Sequence, residues 1–218
     1  MTQPARDWSG PFDTRVDVRV MMGLNRFFTR FWHRSRVVRP APRLPDGPFL
    51  VTPNHISGLD PALVQSAVPR PIVWMMTAEY YDVAWLRPFL RRVEAIRVDK
   101  EINDSSAIRA ALGALKAGRV VGIFPEGRLQ ERRELRPLQP GAVVLAARSG
   151  VPMLPVWVDG PMRSHIHRKT NMLKAYLTPH RCRLAVGDFI PAPPRRCDPE
   201  PTLETLRAAL DGLHTLCR

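Results

Sequence analysis

The segment SSAIRAALGALKAGRVVGIFPEGR, residues 105–128, places a helical pattern, a strand pattern and a sharp turn next to one another. Apolar residues recur three and four apart between Ser105 and Ala117, which predicts an amphipathic helix. Val120–Phe124 is a short apolar run rich in β-branched residues, typical of a parallel strand that is covered on both faces. A helix followed directly by a buried strand is the repeating unit of an α/β sheet.

The same alternation continues on both sides of this segment. The sequence predicts an α/β fold: a single domain with a mostly parallel central sheet flanked by helices, preceded by an N-terminal amphipathic helix. We expect residues 1–47 to hold that helix and a Pro-rich linker, and residues 48–218 to form the main domain. The predicted strands are Phe49–Val51, Ile72–Met76, Ala95–Val98, Val120–Phe124, Met153–Val158 and Arg183–Val186, and the predicted helices are Pro61–Val68, Ala84–Arg92, Ser105–Ala117, Ala142–Arg148 and Thr202–Cys217.

The run GVPMLPV, residues 150–156, is predicted to be a turn into the fifth of these strands, with two closely spaced prolines, Pro152 and Pro155. Since proline cannot donate to a strand ladder, this spacing predicts an edge strand or a kinked entrance to a strand.

The composition points to an anionic partner. Lys and Arg number 33 against 20 Asp and Glu, which gives a net charge of +13 and a pI near 11.0. Such a charge fits nucleic acid, an anionic membrane or a phosphorylated substrate, and composition does not choose among them. The 3 cysteines are too few and too widely spaced to predict a disulfide framework. We expect neither a signal peptide nor a transmembrane helix.

Residues from Val16 to Arg34 have a helical pattern of their own. Val20, Met21, Leu24, Phe27, Phe28 and Phe31 fall on one predicted stripe, with Arg19, Arg26, Arg30 and His33 on the opposite side. Three or four Arg at the centre of a bilayer would cost on the order of 10 kcal/mol, so the helix is not expected to span a membrane. Two interpretations remain: a helix lying in the membrane interface, and an amphipathic helix packed on its own domain.

The segment Asn54–Pro61, NHISGLDP, follows closely on a predicted strand. A turn at Gly58 lets His55 fold back so that Asp60 accepts a hydrogen bond from one ring nitrogen, which leaves the other nitrogen to take a proton from a hydroxyl. The simpler interpretation is a loop histidine followed by Asp60 as an N-cap, with Pro61 at the first helical position.

The segment Gly122–Arg128, GIFPEGR, also comes directly after a strand, so it should lie at the same sheet edge as His55. Pro125 and Gly127 break the strand and can turn backbone N–H groups toward an anion. The Arg128 guanidinium can bind the same anion through two hydrogen bonds. The alternative is a tight turn with an exposed Glu126.

Taken in order, Asn-His-x-x-x-x-Asp, Phe-Pro-Glu-Gly and Val-Pro-x-x-Pro-Val resemble the glycerolipid acyltransferase superfamily, whose bacterial members include the 1-acylglycerol-3-phosphate acyltransferases of phospholipid biosynthesis. A further block of that family, Gly-x-x-x-(Ile/Val)-Asp-Arg, looks matched by Glu94–Lys100, with Glu94 in place of the Gly and Lys100 in place of the Arg.

The resemblance implies a one-step transfer of a fatty acyl group from acyl-CoA or acyl carrier protein to the hydroxyl of a lysophospholipid, with no metal or other cofactor. It implies His55 as the general base and Asp60 as its orienting partner. The resemblance implies substrate-binding roles for Asn54, Arg97, Lys100, Glu126, Gly127 and Arg128. It also implies a peripheral enzyme at the cytoplasmic face of the membrane, bound to anionic lipid.

One departure bears on the acceptor. Many lysophosphatidate enzymes read Glu-Gly-Thr-Arg where this chain reads Glu126-Gly127-Arg128-Leu129, which resembles the lysophospholipid-reacylating branch. Two alternatives therefore stand beside lysophosphatidate acylation: reacylation of another lysophospholipid, and a basic nucleic-acid- or membrane-binding module. No recognised nucleic-acid motif accompanies the charge, so we expect no nucleic acid partner.

Two smaller clusters have open interpretations. Trp74, Tyr80, Tyr81 and Trp85 could line an acyl tunnel or pack in the core. His165 and His167 are predicted to belong to a basic surface loop rather than to a metal site.

Overall fold

The structure, a computed structural model, describes residues 8, 10, 12–84, 86–99, 105–130, 134–160 and 176–218. Its strands are β1 (Arg36–Arg39), β2 (Leu50–Pro53), β3 (Ile72–Thr77), β4 (Ile96–Val98), β5 (Val120–Gly122), β6 (Met153–Asp159) and β7 (Arg183–Val186). The described helices are α1 (Val16–Phe31), α2 (Asp60–Ala67), α3 (Ala78–Tyr81), α4 (Arg87–Arg92), α5 (Ser105–Lys116), α6 (Gly141–Ser149) and α7 (Glu200–Cys217), with a 3-10 turn at Phe12–Thr14.

The seven strands form one sheet in the order β1-β7-β6-β2-β5-β3-β4. Five of the neighbouring pairs are parallel, and only β6 and β7 run antiparallel. α2 covers one face of the sheet, while α5, α6 and α7 cover the other. The α/β fold with a mostly parallel sheet and flanking helices is therefore confirmed.

β2 lies at the centre of this arrangement, and all four of its residues are buried. It pairs with β6 on one side and β5 on the other, so the segments that follow β2 and β5 leave the sheet at the same edge. That shared edge is the one predicted from the positions of His55 and the Gly122–Arg128 segment.

Several boundaries differ from the sequence-based prediction. β1 lies inside the segment that was expected to be a linker, and it extends the sheet by pairing with β7. The sequence did not predict this strand, because the side chains of Arg36–Arg39 are mostly exposed and only the backbone pairs with β7. The predicted helix Ala84–Arg92 begins at Arg87, with Pro88 in its first turn.

The edge-strand interpretation of Met153–Val158 is wrong, since β6 lies between β2 and β7. Pro155 is tolerated there because the β6–β7 ladder begins at Val156, and the next pair toward the strand start is Met153 with Ile190. Pro155, which has no N–H to donate, lies between the Val156 and Met153 pairs.

α1 has two different faces. Val18 and Thr29 are buried, and the Asn25 side-chain amide donates to the Ala62 carbonyl oxygen of α2 at 2.9 Å. On the opposite side the predicted apolar stripe stays largely uncovered, with Leu24 64%, Phe27 63% and Phe31 67% exposed. The helix therefore packs on its own domain while presenting aromatic side chains outward. None of the described helices is long and apolar enough to cross a membrane.

His33 was expected beside the exposed arginines, but it is fully buried just beyond α1. Its ring stacks on His180 with centroids 5.6 Å apart and meets Phe28 edge-on at 5.0 Å. Neither of its buried ring nitrogens has a hydrogen-bond partner among the described residues. Burial, together with repulsion from His180, lowers the pKa of His33 to about 4.

This burial predicts a loss of stability in acid. The pKa of His33 is near 6.5 in an unfolded chain and about 4 in the folded protein. Between these values the unfolded state binds more protons, so the free energy of unfolding falls as the pH is lowered from 7.5 to 5, by about 2 kcal/mol from this residue. Urea unfolding of the wild type and of His33→Leu at both pH values measures the contribution of His33 to this change. An equal pH dependence of the free energy of unfolding in the two chains would contradict the prediction.

Gly122 at the end of β5 allows the Trp74 indole to lie across the sheet. A Cβ at this position would come within 2.5 Å of the Trp74 ring and 2.8 Å of the Ile72 side chain. Both neighbours are buried in β3, so an added methyl group must displace one of them or shift the strand.

We expect Gly122→Ala to lower the free energy of unfolding by about 1–3 kcal/mol through overpacking. The matched control is Gly212→Ala in α7, where an added Cβ meets nothing within 4 Å; there the better helix propensity of alanine should stabilise by up to about 1 kcal/mol. Denaturant unfolding of both variants tests this contrast, and a neutral Gly122→Ala would contradict it.

Candidate active site

His55 and Asp60 are in direct contact at the C-terminal end of β2. The His55 Nδ1 lies 2.8 Å from the Asp60 Oδ2. His55 keeps 20% of its side chain exposed, whereas that of Asp60 is completely buried. The geometry fixes Nδ1 as the nitrogen that faces the carboxylate and leaves Nε2 for another partner.

The Asp60 carboxylate organises the whole loop between β2 and α2. Besides the His55 ring, Oδ2 accepts from the backbone N–H groups of Ile56 and Ser57 at 2.7 and 2.8 Å, and Oδ1 accepts from the Ser57 hydroxyl at 2.8 Å. The N-cap interpretation of Asp60 is therefore wrong: the cap position is Leu59, and Asp60 is the first helical residue with its carboxylate turned back over the loop. Multiple donors stabilise a buried carboxylate in its charged form.

The backbone of His55 is held from the other side by the segment after β5. The Glu126 Oε1 accepts from the His55 N–H at 2.8 Å and from the Gln130 side-chain amide at 2.9 Å, while the Gln130 N–H donates to the His55 carbonyl oxygen at 2.7 Å. The Glu126 Oε2 accepts from the Arg136 N–H at 2.9 Å. Burial raises the pKa of Glu126, and these hydrogen bonds oppose that rise. Glu126 thus holds the segment that carries His55.

Aromatic rings fix the orientation of the imidazole. The His55 ring stacks on Phe124 with centroids 3.9 Å apart, and Phe124 stacks on Trp74 at 5.1 Å. The ring therefore has a hydrogen bond along one edge and a packed face, which leaves little freedom for rotation.

Two adjoining spaces open beside His55. A cleft of about 220 Å³ is lined by His55, Phe124, Gly127 and the first residues of α6, Gly141 and Ala142. A larger apolar cavity of about 590 Å³ continues from it between α1, α2, α4 and β3. The two share Gly58, Pro61 and Met76 as lining residues.

Three of the remaining predicted site residues, Asn54, Arg97 and Arg128, do not line this cleft. Asn54 is fully buried, and its amide bonds both the N–H and the carbonyl oxygen of Val158, so it ties the end of β2 to β6. Arg128 is exposed at the turn beside Gly127, which adopts a φ of +66°.

Arg97 lies on β4 next to Met76 in the strand register, and its Nε is buried without a partner among the described residues. Lys100 lies outside the described residues, as do Trp85, His165 and His167.

Sequence reasoning missed Ser57, Gln130 and the stacking role of Phe124. Ser57 had a usable signal, because a serine three residues before a carboxylate in a turn often bonds it. Gln130 had none, since its contacts depend on how the loop after β5 folds back on β2.

The chain resembles known proteins in sequence and in fold. The Acyltransferase family model matches residues 34–159. The 1-acyl-sn-glycerol-3-phosphate acyltransferase of Bacillus subtilis is 32% identical over 117 residues, which are 53% of this chain and 58% of that protein. A probable enzyme of the same name from Mycoplasma pneumoniae is 26% identical over 146 residues, 64% of this chain and 54% of that protein.

The aligned segments thus cover little more than half the length of these two relatives. Among solved structures, the crystal structure of the 1-acyl-sn-glycerophosphate (LPA) acyltransferase PlsC from Thermotoga maritima superposes with a TM-score of 0.70 at 20% identity, over 91% of this chain and 80% of that one. That likeness shows a shared fold. With a family match over more than half of its residues, this chain belongs to the acyltransferase family.

Proposed function

We propose that this chain transfers a fatty acyl group from the thioester of acyl-CoA or acyl carrier protein to the free hydroxyl of 1-acyl-sn-glycerol-3-phosphate. The observation that carries the proposal is the contact of 2.8 Å between the His55 Nδ1 and the buried Asp60 carboxylate, beside a cleft that adjoins an apolar cavity. The names of the aligned relatives support the choice of acceptor.

In the proposed reaction His55 acts first as a base. Its Nε2 takes the proton of the acceptor hydroxyl while the oxygen attacks the thioester carbonyl, and Asp60 stabilises the imidazolium that forms. The tetrahedral intermediate then collapses, the carbon–sulfur bond breaks, and the imidazolium returns the proton to the departing thiolate. The products are a diacyl lipid and a free thiol.

Two groups suit the charges of this reaction: one lines the cleft, and the other lies on β4, next to Val98 of the cleft wall. Gly127 and the first residues of α6 line the cleft, and a helix N-terminus carries a partial positive charge that favours a developing oxyanion. Arg97 is the described cation whose buried Nε lacks a partner among the described residues, so we assign it, with Lys100, to the acceptor phosphate. Glu126 and Asn54 contribute by holding His55 and the end of β2.

The apolar cavity suits an acyl chain. The lining is almost wholly apolar and includes Trp74, Met76, Leu90 and Phe28. Since each buried CH₂ is worth about 0.8 kcal/mol, such a space binds a fatty chain and leaves its thioester beside His55. Trp74 therefore has both predicted roles, because it lines the cavity and packs on Phe124.

The outward face of α1 suits a membrane surface. Its exposed apolar residues are flanked by Arg19, Arg26 and Arg30, an arrangement that favours the interface of an anionic bilayer. The cavity is lined by Leu24 and Phe28 of the same helix, so a lipid could pass directly from bilayer to cavity.

A second acceptor class is favoured by the segment after Glu126. Leu129, which replaces the arginine of many lysophosphatidate enzymes, is half-buried, and Arg128 is exposed one position earlier. A lysophospholipid with a larger headgroup has a phosphodiester, whose negative charge is smaller than that of the lysophosphatidate monoester and needs fewer cations beside it. A mass-spectrometric screen of lysophosphatidate, lysophosphatidylglycerol and lysophosphatidylethanolamine with one labelled acyl-CoA distinguishes the two.

We expect His55→Ala to lower the rate of acyl transfer at least about 100-fold, because it removes the general base. Asp60→Asn should cause a loss of similar size, since the amide no longer stabilises the imidazolium and disturbs the tautomer. Release of free thiol from acyl-CoA in the presence of lysophosphatidate measures both rates.

Circular dichroism melts of the same preparations control for folding, because Asp60 is buried. Equal rates in the wild type and a folded His55→Ala variant would rule out the assigned base. Absence of transfer by the wild type to every acceptor in the screen would rule out the proposed function.

We expect the double variant Leu24→Glu/Phe27→Glu to bind anionic liposomes at least about tenfold more weakly than the wild type, since burying one such side chain is worth about 1.5–3 kcal/mol. The matched control is Leu216→Glu, a residue of α7 that is 52% exposed and lies outside the apolar face of α1. Co-sedimentation with phosphatidylglycerol vesicles measures the difference. Equal binding by the two variants would show that α1 is not the docking element.

A further inference from the structure

Tyr80 and Tyr81 are neighbours on α3, but their hydroxyl groups have different surroundings. The Tyr81 hydroxyl donates to the Ala95 carbonyl oxygen, and Tyr81 lines neither of the two spaces beside His55. Tyr80 lines the cleft together with His55. Of the two alternatives predicted for these rings, Tyr81 therefore packs against the core, whereas Tyr80 forms part of the cleft wall.

The Tyr80 ring is held in place while its hydroxyl stays available. The ring packs on a buried cluster that contains Leu86, Leu90 and Ala95. No described residue forms a hydrogen bond with the hydroxyl, and its oxygen is not among the fully buried polar atoms of the described residues. Since a tyrosine hydroxyl that leaves bulk water usually has a hydrogen-bond partner, this one is placed to bind a ligand in the cleft.

Two neighbours place the Tyr80 hydroxyl on the α2 side of the cleft. Burial raises the pKa of Tyr80, and the negative charges of Glu79 and Asp60 raise it further. Burial also raises the pKa of Tyr176 to about 12, with smaller contributions from Tyr80 and Asp60. The hydroxyl is therefore near the first residue of α2 and near Tyr176, which lines the apolar cavity. A phenol with a raised pKa keeps its proton at neutral pH, so Tyr80 is a hydrogen-bond donor.

The thioester of a bound acyl donor comes to the same place. The cleft and the cavity share Gly58, Pro61 and Met76 as lining residues, and Pro61 lies in the first turn of α2. An acyl chain that lies in the cavity reaches His55 across this junction. The carbonyl group is the first polar group of that chain, so it lies at the junction, on the side of the Tyr80 hydroxyl.

The other side-chain donors of the cleft lie elsewhere along its wall. Thr77 is paired with Val98 of β4 in the strand register. Gln139 lies against Gly127, where an added Cβ would come within 3.7 Å of the Gln139 Cγ. Among the described residues that line the cleft, Tyr80 is therefore the side-chain donor at the junction.

We propose that the Tyr80 hydroxyl donates a hydrogen bond to the thioester carbonyl oxygen of the acyl donor, and that this bond strengthens as the oxygen becomes an oxyanion. The inference rests on the proposed acyl transfer and adds a catalytic residue to it. The dipole of α6 acts on the same charge from its helix N-terminus, whereas Tyr80 supplies a direct hydrogen bond.

Tyr80 keeps its own proton throughout the reaction. As the acceptor oxygen bonds to the carbonyl carbon, one electron pair of the carbonyl double bond moves onto its oxygen, while His55 takes the hydroxyl proton. When the carbon–oxygen double bond re-forms, the carbon–sulfur bond breaks, and the imidazolium proton passes to the thiolate. A donor that is already in place needs no reorganisation during these steps, so its main effect is on the transition state.

The test begins with Tyr80→Phe, which removes the hydroxyl and keeps the ring. We expect kcat to fall at least about tenfold and both KM values, for acyl-CoA and for lysophosphatidate, to stay within about twofold, because the lost bond is made mainly in the transition state. Release of free thiol at varied concentrations of each substrate measures these constants.

Two inhibitors of equal chain length test the contact with the carbonyl group itself. A fluoroketone analogue of acyl-CoA, whose hydrate is tetrahedral at the reacting carbon, should bind Tyr80→Phe at least about tenfold more weakly than the wild type. An S-alkyl-CoA thioether has no carbonyl group, so its inhibition constant should be the same for both proteins.

The matched control is Tyr81→Phe, which loses a hydroxyl that is bonded within the protein and should keep the wild-type kcat. Circular dichroism melts show whether each variant is folded. A folded Tyr80→Phe with the wild-type kcat would overturn the inference and leave the proposed function standing. A rise in the KM for lysophosphatidate alone would also overturn it, because the hydroxyl would then bind the acceptor. Absence of transfer by the wild type to every acceptor would overturn both.

Discussion

The Asp60 carboxylate is the interaction on which the rest of the site depends. It is completely buried and accepts from two backbone N–H groups, one hydroxyl and the His55 ring. Burying a carboxylate without these donors would cost much free energy. Without the carboxylate, the buried N–H and hydroxyl donors of the loop would be left without an acceptor. Asp60 therefore fixes the shape of the loop, begins α2 and determines that the His55 Nδ1, not Nε2, faces the carboxylate.

Parallel pairing of β2 and β5 supplies the other half of the site. Because both strands end at the same edge, Glu126 reaches the His55 backbone and Phe124 reaches its ring. β3 lies next to β5 and lines the apolar cavity, which adjoins the cleft beside the imidazole. Helix α1 then covers the cavity from one side and exposes apolar and aromatic residues on the other.

Much of this arrangement could be predicted from local patterns. Val120–Phe124 and Arg183–Val186 were recognisable as strands because they are short, apolar and bounded by turns. The shared sheet edge of His55 and Glu126 followed from strand direction alone. β1 could not be predicted, because its exposed side chains carry no periodic signal and only its backbone pairs with β7.

Other features depend on contacts between distant segments. His33 fits the polar side of a helical pattern, yet its burial is decided by His180. The roles of Glu126 and Gln130 depend on contacts with His55, from which they are separated by more than 70 residues in the sequence. Glu94 was visible as a departure from the family's glycine, but its partners Arg15 and Arg119 come from elsewhere in the chain.

In the proposed mechanism Asp60 holds a proton on the His55 Nδ1 and leaves Nε2 unprotonated as the base. Nitrogen-15 NMR of the protein labelled at histidine, with the His55 signals identified by their loss in His55→Gln, tests this directly at neutral pH. The predicted result is a protonated Nδ1 and an Nε2 with the shift of an unprotonated nitrogen, moved in Asp60→Asn. A proton on Nε2 in the wild type would contradict the mechanism.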